Sequence, residues 1–437
     1  MGVRIKLIKT LMGSFHMGIQ HGIRLNLAQF SLHVLQVFFV GSTIGMTRTV
    51  LPVLAESDFG LTKGSFLALA SFVVVFGLVK ALLNLFAGRL SDQWGRRRVL
   101  IAGWVAALPI PFLILYAPSW GWIIAATVLL GVNQGLCWSM ALNSKLDLAR
   151  ADQRGLVNGL NEFSGYAGVA LAGLLTAWLA LEFGAREGLF AFGMVTVLLA
   201  LALGLWGVRE TRPWAMAHQL AHQQASKGAH AQAVAPSSLA TLFWPATWHD
   251  PRLRALHQAG LVEKFTDAMV WLFFPVFFVS QGLSLIEAGG LVAIYGVVWG
   301  AGQLVTGPLS DRIGRKGLIV WGMTLCGVGV MAVGLSHSPV LWALESALIG
   351  IGMAMLYPTL GAAVADLAQP AQRASVLGIY RFWRDLGYAI GGLALGLAAQ
   401  WSGGLSAPFW LVDGAMLLLG GYVVLAFDTG SKPKLNA

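Results

Sequence analysis

The sequence predicts an all-α membrane protein of twelve membrane-crossing helices, built as two repeats of six. Three observations carry this. The 437 residues are 57% hydrophobic and only 11% charged, with a mean hydropathy of +0.71, a composition outside that of soluble domains. A charged motif, Gly88-Arg89-Leu90-Ser91-Asp92-Gln93-Trp94-Gly95-Arg96-Arg97-Arg98, returns as Gly307-Pro308-Leu309-Ser310-Asp311-Arg312-Ile313-Gly314-Arg315-Lys316, a displacement of 307 − 88 = 219. The same displacement carries Asp147 onto Asp366, Arg154 onto Arg373, Gly159 onto Gly378, Phe163 onto Phe382 and Gly168 onto Gly387. A chance doublet would not hold register over five further positions, so the chain is read as an internal duplication.

Residues 1–30 place Arg4, Lys6, Lys9 and Arg24 among Val3, Ile5, Leu7, Ile8 and Leu11, either a basic amphipathic helix on the membrane surface or a solvated start held inside by its charge. No cleavable signal pattern is seen, and Lys6 breaks the myristoylation consensus. Apolar runs near 31–53, 65–87, 99–117, 120–143, 155–181 and 188–208 are spans 1 to 6, an N-terminal bundle over 31–208. A linker over 209–255 follows, its middle rich in Ala, Gln, Ser and His and expected to be mobile. Spans 7 to 12 lie near 257–280, 287–306, 317–336, 339–364, 374–400 and 407–427, a C-terminal bundle over 256–427 with a tail over 428–437. Each run crosses a hydrocarbon core of ~30 Å at ~1.5 Å per residue.

Orientation follows from the basic residues. Loops on one side carry Arg96, Arg97, Arg98, Arg150, Arg154, Arg209, Arg212, Arg252, Arg254, Arg312, Arg315 and Lys316, and the other side has little beyond Lys63 and Arg186. Both termini and the charged motifs are therefore expected in the cytoplasm. The net charge of +10 is spread through these short loops, which excludes a nucleic-acid face. Cys137 and Cys326 sit in apolar runs and read as buried free thiols. His218 and His222 lie four apart, but with only His230 and His249 nearby a solvated linker is the better reading than a metal site. No metal, no cofactor and no enzymatic centre is expected, since no nucleophile–base pair, phosphate loop or metal triad is found.

Two homologous halves with G-x-L-S-D-x-x-G-R-[KR] after the second span of each resemble the major facilitator superfamily of secondary transporters, over nearly the whole chain. The resemblance implies two pseudo-symmetric six-helix bundles around a central cavity lined by spans 1, 2, 4, 5, 7, 8, 10 and 11. It also implies a conformational gate. Asp92 and Asp311 would each face a helix start in the opposite half when the cytoplasmic side closes, near Arg373 and Arg154 respectively. A helix N-terminus offers a carboxylate unpaired N–H groups and about half a positive charge. Arg96 and Arg315 can then pair with Asp147 and Asp366, while Gly88, Gly95, Gly307 and Gly314 permit close helix contact and a tight turn. The alternative is a topology signal alone, to which the aspartates would contribute little.

Charges inside the spans are the candidate translocation residues: Arg48 in span 1, Lys80 in span 2, Glu162 in span 5, Glu263, Lys264 and Asp267 in span 7, and Arg381, Arg384 and Asp385 in span 11. An ionised group at such depth is costly unless paired or in a wet cavity. Lys80, about 18 Å from Asp92 along a helix, has no acid within one turn and must find a partner across helices, water or a substrate. The repeat carries Glu162 onto Arg381, an acid in one half against a base in the other. A purely structural alternative has Arg381 and Asp385, four apart, neutralising each other, with Glu263 and Lys264 at the interface. Asn133 and Trp138 of span 4 add an amide and an aromatic ring.

The resulting expectation is a monomeric secondary transporter of a bacterial-type inner membrane, working by alternating access on a small organic solute. The cations Arg48, Lys80, Arg381 and Arg384 point to an anionic or amphipathic substrate, and Glu162 or Asp267 to proton coupling, because a buried carboxylate protonates more readily. The drug/proton antiporter branch of the family has an Arg in span 4 ahead of a Gln-Gly step; here Gln134-Gly135 is present but the Arg position holds Gly131, which argues against multidrug export. Two alternatives stay open: a transporter-like receptor or assembly factor that moves nothing, and a permease for a metal or metal chelate.

Overall fold

The computed structural model describes residues 19–61, 64–218, 239–368 and 372–430. The expected N-terminal surface helix up to residue 18, Lys63, the linker histidines His222 and His230, and the tail from residue 431 lie outside the described residues.

Two sets of six spans make up the fold, and no strand occurs among the described residues. Span 1 is Leu27–Arg48 continued by Val50–Ser57, span 2 Phe66–Trp94, and span 3 Arg96–Ala107 continued by Pro109–Leu115. Span 4 is Trp120–Leu148, span 5 Arg154–Phe183 and span 6 Ala185–Gly207. In the second half, span 7 is Pro251–Leu272 continued by Phe274–Ser280, span 8 Leu285–Ile313, span 9 Arg315–Leu335 and span 10 Pro339–Leu367. Span 11 is Arg373–Ser402 and span 12 Ser406–Gly430. Among the described residues ten helices are long and apolar enough to cross a membrane. Spans 7 and 11 match them in length but carry the charge clusters around Asp267 and Asp385.

Local chemistry sets the ends and breaks. Asp250 caps span 7 by accepting from the N–H groups of Arg252 and Leu253, with Pro251 at the first helical position. Ser284 and Glu287 form a capping box at the start of span 8. Spans 3 and 7 interrupt at Leu108 and Phe273, ahead of Pro109 and Pro275, which cannot donate to the helical ladder.

The charged motif differs from its expected form. Gly88 to Trp94 continues the helix of span 2 and Gly307 to Ile313 that of span 8, so the turn is a single residue in each copy. Those residues are Gly95 and Gly314, both at φ 90°, a backbone region that glycine enters without the penalty of a Cβ. The close helix approach expected at Gly88 and Gly307 is not made here: a Cβ at Gly88 would meet nothing within 4 Å, and at Gly307 only Pro358 at 4.0 Å.

Within each half, spans cross backbone to backbone. A Cβ at Gly41 of span 1 would lie 1.9 Å from the carbonyl oxygen of Gly165 in span 5. The repeat uses the same device, a Cβ at Gly387 of span 11 falling 2.1 Å from the carbonyl oxygen of Leu261 in span 7. Small residues at such crossings let van der Waals packing drive association where lipid removes the hydrophobic term. The halves meet along two seams, span 2 against span 11 and span 5 against span 8. They are sealed on the face away from the motifs and open toward them. From the linker, the helix Leu239–Trp248 packs on spans 7 and 11, with Trp383 donating to Thr247 at 3.1 Å.

Candidate substrate site

Between the halves lies a cavity of about 530 Å³, bordered on the motif face by Asp152, Asp311 and Arg315 and ending among Lys80, Trp138, Glu162, Tyr357, Arg381, Arg384 and Asp385. Spans 2, 4, 5, 8, 10 and 11 supply its walls. Spans 1 and 7, expected to line it as well, are instead joined to each other on the sealed side.

Asp385 is the centre of the first charge cluster and is fully buried. It accepts from Arg384 Nη2 at 3.2 Å and from Asn84 Nδ2, and Lys80 Nζ lies 3.9 Å away. Lys80 thus finds its acid across helices, and the rings of Phe76, Trp138 and Tyr388 lie 5.5 to 5.7 Å from its ammonium. Arg384 also stacks over Tyr357 at 4.5 Å. The alternative in which Arg381 neutralises Asp385 does not occur. Arg381 borders the cavity with no ion pair among the described residues. Glu162, across from it, accepts through Oε1 from Trp138 Nε1 at 3.2 Å and Asn161 Nδ2 at 2.7 Å, while Oε2 has no partner among the described residues.

The second cluster seals the opposite side. Arg48 grips Asp267 through its two terminal nitrogens, Nη1 and Nη2, at 2.6 and 3.0 Å, with the two residues only 1% and 0% exposed. Tyr295 and Tyr388 donate to the same carboxylate, Lys264 stands 4.0 Å from it while pairing with Glu263 at 3.1 Å, and Trp271 lies beneath Arg48 at 5.2 Å. Bidentate charge-assisted bonds of this kind are the strong ones. Arg48 and Asp267 therefore do not meet the cavity in this conformation, contrary to the expectation for both. Asn133 does not either: it is buried inside the N-terminal half, donating to Gly103 O at 3.1 Å beside Thr43, because that face of span 4 packs on spans 1 and 3. Trp138 lies on the cavity face.

At the motifs, Arg96 Nε reaches Asp147 at 3.1 Å and Arg315 Nε reaches Asp366 at 3.0 Å. Among the described residues Asp92 and Asp311 pair only within their own motif, with Arg96 at 3.0 Å and Arg315 at 2.6 Å, and their side chains are 75% and 66% exposed. Among the described residues neither bonds to the opposite half. Arg154 is exposed without an ion pair among the described residues, and the side chain of Arg373 lies outside them.

Three side chains were not anticipated. Glu210, at the start of the linker, accepts from the backbone N–H groups of Arg96 and Arg97 at 3.0 and 3.1 Å, capping span 3. Lys145 is fully buried with the carbonyl of His33 at 3.3 Å, and neither nitrogen of the buried His33 ring has a partner among the described residues. No sequence signal marks these two, since Lys145 near a helix end reads as an interface lysine. The Arg48–Asp267 pair did have a signal: the two stand 219 residues apart.

A model of the Major Facilitator Superfamily matches the chain twice, over residues 34–299 and 259–437. The chain is 26% identical to a probable 4-methylmuconolactone transporter of Cupriavidus pinatubonensis, covering 79% of this chain and 77% of that one. It is 25% identical to a gallate transporter of Pseudomonas putida, covering 83% and 84%. Among solved structures, a D-xylose–proton symporter superposes with a TM-score of 0.70 at 19% identity, over 91% of this chain and 97% of that one.

Proposed function

The chain belongs to the Major Facilitator Superfamily of secondary transporters, and on that premise we propose that it carries a small organic anion across an inner membrane by alternating access, coupled to protons, with the motif face in the cytoplasm. The observation that carries the substrate class is Arg381, a guanidinium on the cavity wall with no ion pair among the described residues. A cation at that depth is stabilised by an anion it binds. Lys80 and Arg384 add positive charge beside it, and Trp138, Tyr357 and Tyr380 offer ring faces. The names of two relatives, a gallate and a 4-methylmuconolactone transporter, support a solute that combines a carboxylate with a ring. The Lys and Arg residues gathered at the motif face support its cytoplasmic placement.

Ligand-induced stabilisation of the purified protein, with aromatic carboxylates against their uncharged amides, tests the substrate class. Arg381→Ala and Lys80→Ala are each expected to weaken binding of the anion at least tenfold, about 1.4 kcal/mol. A preference for the amides, or unchanged affinity in both variants, would remove the anion reading. Anion-dependent proton uptake by proteoliposomes tests the coupling.

The gate makes a separate prediction. In this open conformation the one ion pair of Asp92 among the described residues is with Arg96, its own side chain being 75% exposed, and such a solvent-screened pair is worth less than about 1 kcal/mol. Asp92→Asn should therefore leave folding intact and act on the closed state, where the carboxylate would meet a helix start. Transport is expected to fall strongly while expression and thermal stability stay near the parent. Full transport by Asp92→Asn would remove the gate role.

A further inference from the structure

Arg48 and Asp267 are joined across the two halves, and their separation of 219 residues makes them the same position in the two repeats. Glu162 and Arg381 stand at that displacement too (381 − 162 = 219), with the polarity reversed. The first pair lies on the sealed side and is closed. The second borders the open cavity, and its members make no ion pair among the described residues. Each lies eight residues into its helix, counted from Arg154 and Arg373, so both sit at a depth of about 12 Å from the motif face.

In a carrier with related halves, rocking that opens one side closes the other about the same site. We propose that Glu162 and Arg381 are the inner counterpart of the Arg48–Asp267 pair: they join across the halves when the motif side closes, and a carboxylate solute on Arg381 competes with Glu162 for that guanidinium. This rests on the alternating-access reading above and adds to it a specific closing contact. It also gives Arg381 two successive partners, which makes solute occupancy and closure of the motif side alternatives unless Glu162 is neutralised.

Thiol accessibility tests the pair without measuring transport. In a Cys137→Ser/Cys326→Ser background, Ala365→Cys reports on the cavity wall toward the motif face. Thr49→Cys, buried against Gly289 of span 8, reports on the sealed side. Loss of the inner contact should favour the conformation seen here. Glu162→Gln and Arg381→Gln are each expected to raise maleimide labelling at 365, or to lower it at 49, by roughly fivefold or more, the population shift that one weak buried contact produces. Reading both positions covers a carrier that already rests open on either side. The exchanged variant Glu162→Arg/Arg381→Glu should return both rates toward the parent. Unchanged labelling at both positions in the two single variants overturns the proposal, as does an exchanged variant that folds with parental thermal stability yet labels like the single ones. A neutral solute found in the binding screen, with labelling shifted as described, would remove the anion reading and leave the pair standing.

Discussion

Asp267→Asn is expected to destabilise the folded protein by about 3–5 kcal/mol, the range measured when one partner of a buried ion pair is removed. Arg48 is 1% exposed and has no second carboxylate within bonding distance among the described residues; Lys264, 4.0 Å from Asp267, would lose its support as well. The variant would leave Arg48 buried without a carboxylate and Lys264 with Glu263 alone, at 3.1 Å. Replacing the pair as a unit has a different expected cost. Arg48→Met/Asp267→Leu exchanges two charges for apolar volume beside Trp271, and such exchanges are often neutral or stabilising. Denaturant or thermal unfolding in detergent distinguishes the two. A loss below about 1 kcal/mol in Asp267→Asn would mean that water reaches Arg48.

Gly41→Val should have a comparable effect through sterics alone. The first carbon of any side chain at Gly41 would sit 1.9 Å from the carbonyl oxygen of Gly165. That oxygen belongs to a helix backbone, and the Gly165 side of span 5 is already packed against the Trp138 ring, so neither neighbour can rotate away. Spans 1 and 5 would have to part by roughly 1.5 Å to restore ordinary contact. Overpacking costs typically 1–3 kcal/mol where side chains can adjust, and here a helix must move, so the expected loss lies above ~3 kcal/mol. Gly88→Ala is the matched control, because a Cβ there meets nothing within 4 Å, and a helical Gly→Ala change contributes about 0.5–1 kcal/mol of stability. Size-exclusion profiles of fluorescent fusions should show Gly41→Val aggregated and Gly88→Ala monodisperse. A monodisperse Gly41→Val would contradict the crossing.

Much of the fold is legible in the sequence. Hydropathy marks the spans, the 219-residue displacement marks the duplication, and the basic loops mark a single face. The site was legible only as a set of residues. Periodicity says that Lys80 lies deep in span 2, but its partner Asp385 sits 305 residues away on another helix, and only packing brings them within 3.9 Å. Asn133 and Trp138 share one span, yet one faces the bundle interior and the other the cavity, because nearly every face of span 4 is apolar and the sequence does not single one out. The motif read as a loop because its residues are charged, whereas the helix of span 2 carries them beyond the apolar run and turns only at Gly95.

The reversed polarity of the two repeat-related pairs has an electrical consequence. The N-terminal half contributes Arg48 and Glu162, the C-terminal half Asp267 and Arg381. Each half thus brings one cation and one anion to these four positions, a sum of zero. When the halves rock, these groups carry no net charge through the field. A membrane potential, which does about 2.3 kcal/mol of work per elementary charge per 100 mV, would then have no purchase through them on the return of the empty carrier. It would act on the loaded one, in proportion to whatever charge the solute and its proton add.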